Sequence, residues 1–74
     1  MILPMTEPLA HPLTPREVQV LRCLADGLSR FETGAQLGIS PATVKTHKAR
    51  IFGKLHVHRK AEAVAWAFRA GLLS

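Results

Sequence analysis

The sequence predicts an all-α domain of four short helices, and three observations support this fold class. Helix start signals, in which a capping hydroxyl precedes a proline or an acid, occur at Thr14, Ser29 and Ser40. Apolar residues recur at intervals of three and four behind these positions, which is the spacing of one helix face. Glycines follow at positions 27, 38 and 71 and provide stops. With only 74 residues, the helices must share one small core.

A flexible leader is expected over residues 1–13, because prolines at positions 4, 8 and 12 preclude a regular helix there. The folded domain is then expected over residues 14–74. No apolar run approaches the length of a membrane span, and the opening residues make a poor signal peptide. Cys23 is the only cysteine, so an internal disulfide is excluded and a reducing cytoplasm suits the chain.

The first helix is expected from Pro15 to about Ala25. Thr14 is placed to cap its first turn, and Glu17 is placed to cap back, which completes a capping box. The residues on its apolar face are Val20, Leu21, Leu24 and Ala25.

A second, shorter helix is expected from Ser29 to Leu37, with Ser29 and Glu32 forming another capping box. Thr33 and Gly34 fall on its inward face and weaken it. A glycine inside a helix costs about 1 kcal/mol relative to alanine, so Gly34→Ala is expected to stabilise the domain if the backbone there is ordinary helix. The same small residue would allow another helix to cross closely.

The third helix is expected over residues 41–55, after a tight corner at Gly38. Two helices joined by a short glycine-containing turn, the second with a basic face, form a helix-turn-helix arrangement. One face is apolar, and the opposite face carries Ala42, Thr46, Ala49 and Gly53, bordered by Thr43, Lys45 and Arg50. Small side chains would let the backbone approach the bases in a DNA major groove, and the borders would reach phosphates. The alternative is that the small face makes a helix–helix contact.

Positive charge is concentrated in the second half of the chain. The net charge is +5, and no acid lies between Thr33 and Ala61, a window that holds six of the ten lysines and arginines. A one-sided field of this kind attracts a polyanion, and nucleic acid is the leading candidate. An anionic membrane surface fits less well, because the basic helix lacks a large exposed apolar face.

The fourth helix is expected from about residue 59 or 60 to Ala70, and it is apolar nearly all round. Such a helix is normally buried on more than one side, which a chain this short cannot achieve alone. A homodimer contact is therefore predicted, and its residues are Ala63, Trp66, Ala67 and Ala70. The alternative is that Trp66 folds back over its own domain.

Other classes of function find little support. An enzyme is not expected, because the sequence has no carboxylate pair, no nucleophile with a base and no glycine-rich phosphate loop. No cofactor is expected. The histidines at 47, 56 and 58 fit no usual zinc spacing, so no metal is expected either. The rival to DNA binding is a helical protein-interaction module that uses the apolar fourth helix.

The ordered motifs LTPRE from Leu13, GLS from Gly27, LGIS from Leu37, TVKTH from Thr43 and EAV from Glu62 resemble the LuxR-type (FixJ/NarL/GerE-like) DNA-binding domain. The resemblance runs from Leu13 to Leu73. It implies a four-helix bacterial transcription regulator that binds double-stranded DNA through the third helix and dimerises through the fourth. The DNA contacts it implies are Ser29, Arg30, Thr43, Lys45, Thr46, Ala49, Arg50 and Lys54, with Lys54 near a phosphate.

The chain departs from the family pattern at several positions. Lys48 stands where an apolar residue is usual, His56 replaces the glycine of the following turn, and Arg59 replaces a capping Ser or Asn. The second helix differs at Phe31, Thr33 and Gly34. The family domain usually follows a receiver or sensing domain, so the chain is expected to be a stand-alone regulator or a fragment. The cytoplasm, at the nucleoid, is the expected location, and RNA polymerase is a further candidate partner.

Overall fold

In the computed structural model, which describes residues 12–73, the chain forms four helices and no strand within that range. They are α1 (Pro15–Ala25), α2 (Arg30–Leu37), α3 (Pro41–Leu55) and α4 (Lys60–Arg69). The predicted all-α fold is confirmed. None of these helices is long and apolar enough to cross a membrane.

The predicted leader lies almost wholly outside the described residues, which begin at Pro12. Its last residue requires a correction, because Leu13 is buried and belongs to the core. Leu13 directly precedes the capping residue of α1, and an apolar residue at that position can pack against its own helix. The packed part of the chain therefore starts at least one residue before the predicted boundary.

The caps form as the sequence predicts. In α1, the Glu17 amide donates to Thr14 Oγ1 at 3.1 Å, and the Thr14 amide donates to Glu17 Oε1 at 2.9 Å. The same reciprocal pair joins Ser29 and Glu32 at the start of α2, with distances of 2.8 and 3.1 Å. Ser40 Oγ accepts from the Thr43 amide at 3.1 Å and caps α3.

The start of α4 has no capping hydroxyl, because Arg59 occupies that position. Glu62 compensates from inside the first turn. Its Oε1 accepts from the amides of His58 and Arg59 at 3.0 and 2.9 Å. The negative charge also interacts favourably with the positive end of the helix dipole.

One core is built from buried residues of α1, α3 and α4 and from Leu13, and α2 packs only the half-buried Leu37 against it. Its residues are Leu13, Val20, Leu21, Leu24, Val44, Ile51, Leu55, Ala63 and Ala67. The apolar faces predicted for α1 and α3 are the ones that are buried. The fully buried Ala63 and Ala67 let α4 lie close against the rest of the domain.

The corner between α2 and α3 depends on two glycines. Gly38 ends α2 with φ +72°, a left-handed conformation that glycine adopts without a steric penalty. Gly34 is buried where the chain folds back, and a Cβ built on it would lie 2.5 Å from the carbonyl oxygen of Ile39. The expectation that Gly34→Ala stabilises the domain is therefore wrong, whereas the expected close approach is present.

The turn between α3 and α4 adopts a left-handed conformation without a glycine. His56 has φ +55° and is the only residue other than glycine with a positive φ between residues 12 and 73. Its amide lies 3.3 Å from the carbonyl oxygen of Gly53 and helps to close the end of α3. Val57 then turns inward and packs against the core. The connection thus keeps α4 against α1 and α3.

Candidate nucleic-acid interface

The outer face of α3 consists of small residues that no other described part of the chain covers. Ala42, Thr46, Ala49 and Gly53 are all exposed. They therefore make no helix–helix contact within residues 12–73. The Thr46 hydroxyl donates to the Ala42 carbonyl oxygen at 3.2 Å, so it is held against its own helix. The result is a low, uncharged strip along the helix.

Exposed polar residues border this strip on both sides. Lys45 and Arg50 are five positions apart, which places them about 140° from each other around a helix. Thr43 lies on the Arg50 side, and its Oγ1 is 2.9 Å from Ser40 Oγ in the cap of α3. The predicted residues Thr43, Lys45, Thr46, Ala49 and Arg50 are thus all exposed on one continuous part of α3.

Ser29 and Arg30 lie at the start of α2 and are exposed. The backbone and hydroxyl of Ser29 are engaged with Glu32 in the capping box. The Arg30 guanidinium carbon lies 4.9 Å from the centre of the Phe31 ring, which is a cation–π arrangement. Phe31 itself is 61% exposed, which is unusual for a phenylalanine in so small a domain.

Lys54 has a different environment from the one predicted. Its Nζ lies 2.7 Å from Glu17 Oε1, in an ion pair that joins α3 to α1. The Glu17 side chain is only 4% exposed and the Lys54 side chain 35%. The phosphate contact of Lys54 stays a prediction, and the ion pair shows that its ammonium group already has one partner inside the domain.

Glu17 owes its ionised state to these partners. Burial raises the pKa of the Glu17 carboxyl, but hydrogen bonds from Lys54 and the Thr14 backbone, with the Lys54 charge, outweigh burial and hold the pKa below its ordinary value. The sequence shows Glu17 only as a capping residue. Its long-range partner lies 37 positions away, beyond any local pattern.

Two cations that the sequence did not single out as contacts lie beside the predicted ones. Lys48 on α3 and Lys60 at the start of α4 line a cavity of about 310 Å³ together with Arg30 and Lys45. The positive charge expected from the window between residues 33 and 61 is therefore partly gathered at one place. A signal for Lys48 was available, because it is a charged residue at the edge of the apolar face of α3.

The predicted dimer surface on α4 requires a correction. Ala63 and Ala67 are fully buried in the domain's own core, so they cannot contact a second chain. Trp66 packs partly against the same core, which is the alternative considered for it, and Ala70 is half-buried. The outer side of α4 instead carries the exposed Ala61, Ala65 and Phe68, of which Phe68 is 51% exposed.

The histidines are not gathered together. His56 and His58 are exposed in the connection before α4, and His47 is half-buried on α3. Among residues 12–73, no group of three His, Cys, Asp or Glu side chains is placed to hold a metal ion.

A short helix capped by glycine, followed by a helix with an uncovered strip between basic borders, defines the class of helix-turn-helix DNA-binding domains. The luxR family of bacterial regulatory proteins matches residues 11–67. The chain therefore belongs to this family of DNA-binding transcription regulators.

The chain is similar to proteins that are much longer than itself. The chain is 46% identical over 66 residues to the probable transcriptional regulatory protein NarL of Mycobacterium tuberculosis, covering 89% of the chain and 31% of that protein. It is 48% identical over 56 residues to the Fimbriae Z protein of Salmonella typhimurium, covering 76% and 27% respectively. The chain thus spans about a third of the length of these relatives or less.

The fold also matches a solved structure. The response regulator ChrA of a heme-sensing two-component system superimposes with a TM-score of 0.77 and 40% sequence identity. The match covers 85% of this chain and 31% of that one. The four-helix arrangement is therefore shared with a response regulator.

Proposed function

We propose that the chain regulates transcription by binding a specific sequence of double-stranded DNA with α3 in the major groove. The observation that carries the proposal is the uncovered strip of small residues between Lys45 and Arg50. A helix can approach base edges only where its own side chains are short, and cations at its borders are then within reach of base edges or of phosphates.

The residues of the interface have different roles in this proposal. Lys45 and Thr46 read bases, since a lysine donates to guanine and a threonine methyl packs against thymine. Ala49, in the middle of the helix, has a short side chain that leaves room for the bases. Arg50 and Thr43 contact phosphates on one border, and Ser29 and Arg30 contact the backbone from the start of α2. Lys54 pairs with Glu17, and its phosphate contact stays a prediction.

The proposal includes a homodimer through α4, on a surface different from the one the sequence indicated. Ala61, Ala65 and Phe68 form the exposed apolar part of the helix. An isologous contact between two copies would bury Phe68, and it would present two α3 helices to half-sites about one helical turn apart.

The proposed setting is the bacterial cytoplasm, at the nucleoid, with RNA polymerase as a partner of the DNA-bound protein. The similarity to the probable transcriptional regulatory protein NarL supports this setting. The chain has no catalytic role in the proposal and needs no cofactor. Its chemistry is recognition by charge, hydrogen bonds and shape.

Salt-titrated binding to specific and scrambled duplexes tests the proposal. Wild-type affinity should fall steeply with salt, because the cations displace condensed counterions. Arg50→Ala should weaken both duplexes alike and flatten the slope of log affinity against log salt by about one unit. Lys45→Ala and Thr46→Ala should change the base preference, by roughly 1–3 kcal/mol for each good direct contact. Arg22→Ala, which removes an exposed cation from α1, is the matched control for net charge.

Two results would contradict the proposal. Binding that is insensitive to salt would remove the electrostatic basis. Equal effects of all three α3 substitutions on both duplexes would mean that α3 does not read the groove. In either case the rival, a protein-interaction module that uses α4, would become the better description.

A further inference from the structure

Four cations from three helices line a single cavity beside the strip on α3. Arg30 comes from α2, Lys45 and Lys48 from α3, and Lys60 from α4. The cavity has a volume of about 310 Å³, and its lining is completed by Leu24, Leu28 and Ser29. The two leucines are apolar, which lowers the local dielectric and strengthens the field of the cations. No acidic residue contributes to this lining within residues 12–73.

The acids closest along the chain are engaged elsewhere. Glu32 in the first turn of α2 accepts from the Ser29 amide at 2.8 Å. Glu62 in the first turn of α4 accepts from two backbone amides at 3.0 and 2.9 Å. The one ion pair among residues 12–73 is Lys54 with Glu17, which involves none of the four cations. None of the four cations is therefore held in an ion pair within residues 12–73.

Lys48 is held in place before any ligand arrives. It is half-buried, and its Nζ lies 5.6 Å from the centre of the Phe52 ring. Phe52 is packed against the core, so the ring is a fixed support for the ammonium group. A positioned cation loses less conformational freedom on binding than a free lysine does.

We infer that this cavity binds one backbone phosphate of the DNA duplex, through Lys48 and Lys60 together with Arg30. The inference rests on the proposed function, and it extends the DNA contact to the start of α4. Lys45 provides the link, because it lines the cavity and also borders the strip that faces the bases. With the strip in the major groove, the strand on the Lys45 side runs past the cavity mouth, while the Arg50 side faces the other strand.

The test uses Lys48→Gln, Lys60→Gln and the double variant, with a mixed-sequence duplex as the probe. Because both lysines hold the same phosphate, the double variant should lower the slope of log affinity against log salt by no more than about 0.9. The ratio of wild-type to double-variant affinity should therefore be at most about 3.5-fold smaller at about 200 mM salt than at about 50 mM. Arg69→Gln removes an exposed cation from the far end of α4 and is the matched control.

The melting temperature of each variant shows whether it is still folded, so that weaker binding can be told apart from unfolding. Removing one of several clustered like charges should leave the melting temperature of each variant unchanged or higher, so weaker binding would not reflect unfolding. A second arm titrates inorganic phosphate into the free protein and follows the backbone amide resonances of Arg30 and Lys60. Adding phosphate should shift these two resonances in the wild type and leave them unchanged in the double variant.

The outcomes separate this inference from the proposed function. If wild type binds the duplex with a steep salt slope and the double variant behaves like Arg69→Gln, the inference is overturned and the proposed function stands. A slope lowered by about two units would also overturn it, since the lysines would then contact separate phosphates. If inorganic phosphate binds but duplex affinity is unchanged in the double variant, the cavity serves a free phosphoryl ligand instead. If wild type binds no duplex, both fail.

Discussion

Thr33 lies in the centre of α2 with no exposed surface, and its Oγ1 has no hydrogen-bond partner among residues 12–73. A buried hydroxyl that lacks a partner loses its hydration on folding and gains nothing in return. The residue is packed like an apolar one, so only the oxygen is unfavourable there.

We expect Thr33→Val to stabilise the domain by about 1 kcal/mol, because valine keeps the shape and removes the unpaired hydroxyl. For a domain of this size, that corresponds to a rise of about 4–8 °C in the melting temperature. Thr46→Val is the matched control, since Thr46 is exposed and should change stability by less than about 0.5 kcal/mol. A lower melting temperature for Thr33→Val would show that the hydroxyl does find a partner, such as a buried water.

Gly34 and Gly53 provide a second contrast between identical residues. A Cβ on Gly34 would meet the Ile39 carbonyl oxygen at 2.5 Å, whereas a Cβ on Gly53 would meet nothing within 4 Å. We expect Gly34→Ala to destabilise the domain by about 1–3 kcal/mol through steric overlap at the corner. Gly53→Ala should stabilise α3 by up to about 1 kcal/mol. Chemical denaturation of both variants measures the difference, and a stabilising Gly34→Ala would contradict the close approach.

Thr33 and Gly34 show what the pattern of residues along a helix can and cannot predict. Periodicity placed Thr33 and Gly34 correctly on the inward face of α2. It could not give the distance from Gly34 to the chain that follows, which depends on the angle of the corner at Gly38. The average helix cost of glycine therefore predicted the wrong sign for Gly34→Ala.

At the scale of the helices, the ion pair between Lys54 and Glu17 ties α3 to α1. It lies beside the Thr14 cap, so one carboxylate closes the first turn of α1 and also anchors the last turn of α3. The pair spans 37 positions of sequence. Local patterns predicted the bounds of all four helices closely, but a side-chain contact between helices depends on how they pack. The sequence therefore predicted a phosphate contact for Lys54 but not its ion pair with Glu17.

We expect the pair to make stability depend on pH. The folded-state pKa of Glu17 is below its ordinary value of 4.5, so its contribution is fully present above pH 4.5 and is lost as pH falls through the folded-state pKa. Glu17→Gln, which keeps the shape and removes the charge, should melt at a lower temperature than wild type at pH 7. The difference should shrink in acid. Melting curves of both proteins across the acidic range provide the measurement, with Glu62→Gln as a control at another helix start. A difference that does not change with pH would contradict an ionised Glu17.

Lys54→Met addresses the other half of the pair. It keeps much of the aliphatic length of the side chain but leaves Glu17 buried beside no cation, which should raise the pKa of that carboxyl. The loss of stability in acid should then be smaller than in the wild type, because its size depends on how far the folded-state pKa lies below the ordinary value. The same melting curves would show this smaller loss.

For the whole molecule, the pattern of charges along the sequence predicted the class of partner, a nucleic acid. It did not predict which charged residues lie together in space. The window between residues 33 and 61 correctly marked α3 as the basic helix. The cavity, however, is lined by Lys45 and Lys48 together with Arg30, which lies outside that window, and Lys60, which lies at the end of the window where α4 begins. Sequence order separates these residues, and only the packing of three helices brings them together.

The fourth helix shows the same limit for apolar residues. Its two apolar faces were predicted, but the sequence does not say which one faces the core. Packing decides this, because the alanines at 63 and 67 allow the closest approach of α4 to the other helices. The face that remains outside carries Phe68.

We therefore expect Phe68→Glu, and not a change at Trp66, to separate the proposed dimer from the fold. Phe68 is 51% exposed, so a carboxylate there can remain hydrated in the monomer, but it would be buried and unpaired in an isologous contact. The variant should keep the wild-type melting temperature, sediment as a monomer and bind paired half-sites much more weakly, because simultaneous engagement is lost. Phe31→Glu is the control for oligomeric state, since Phe31 is 61% exposed on α2 and lies outside the proposed contact. A wild type that sediments as a monomer both free and on DNA would rule out this dimer.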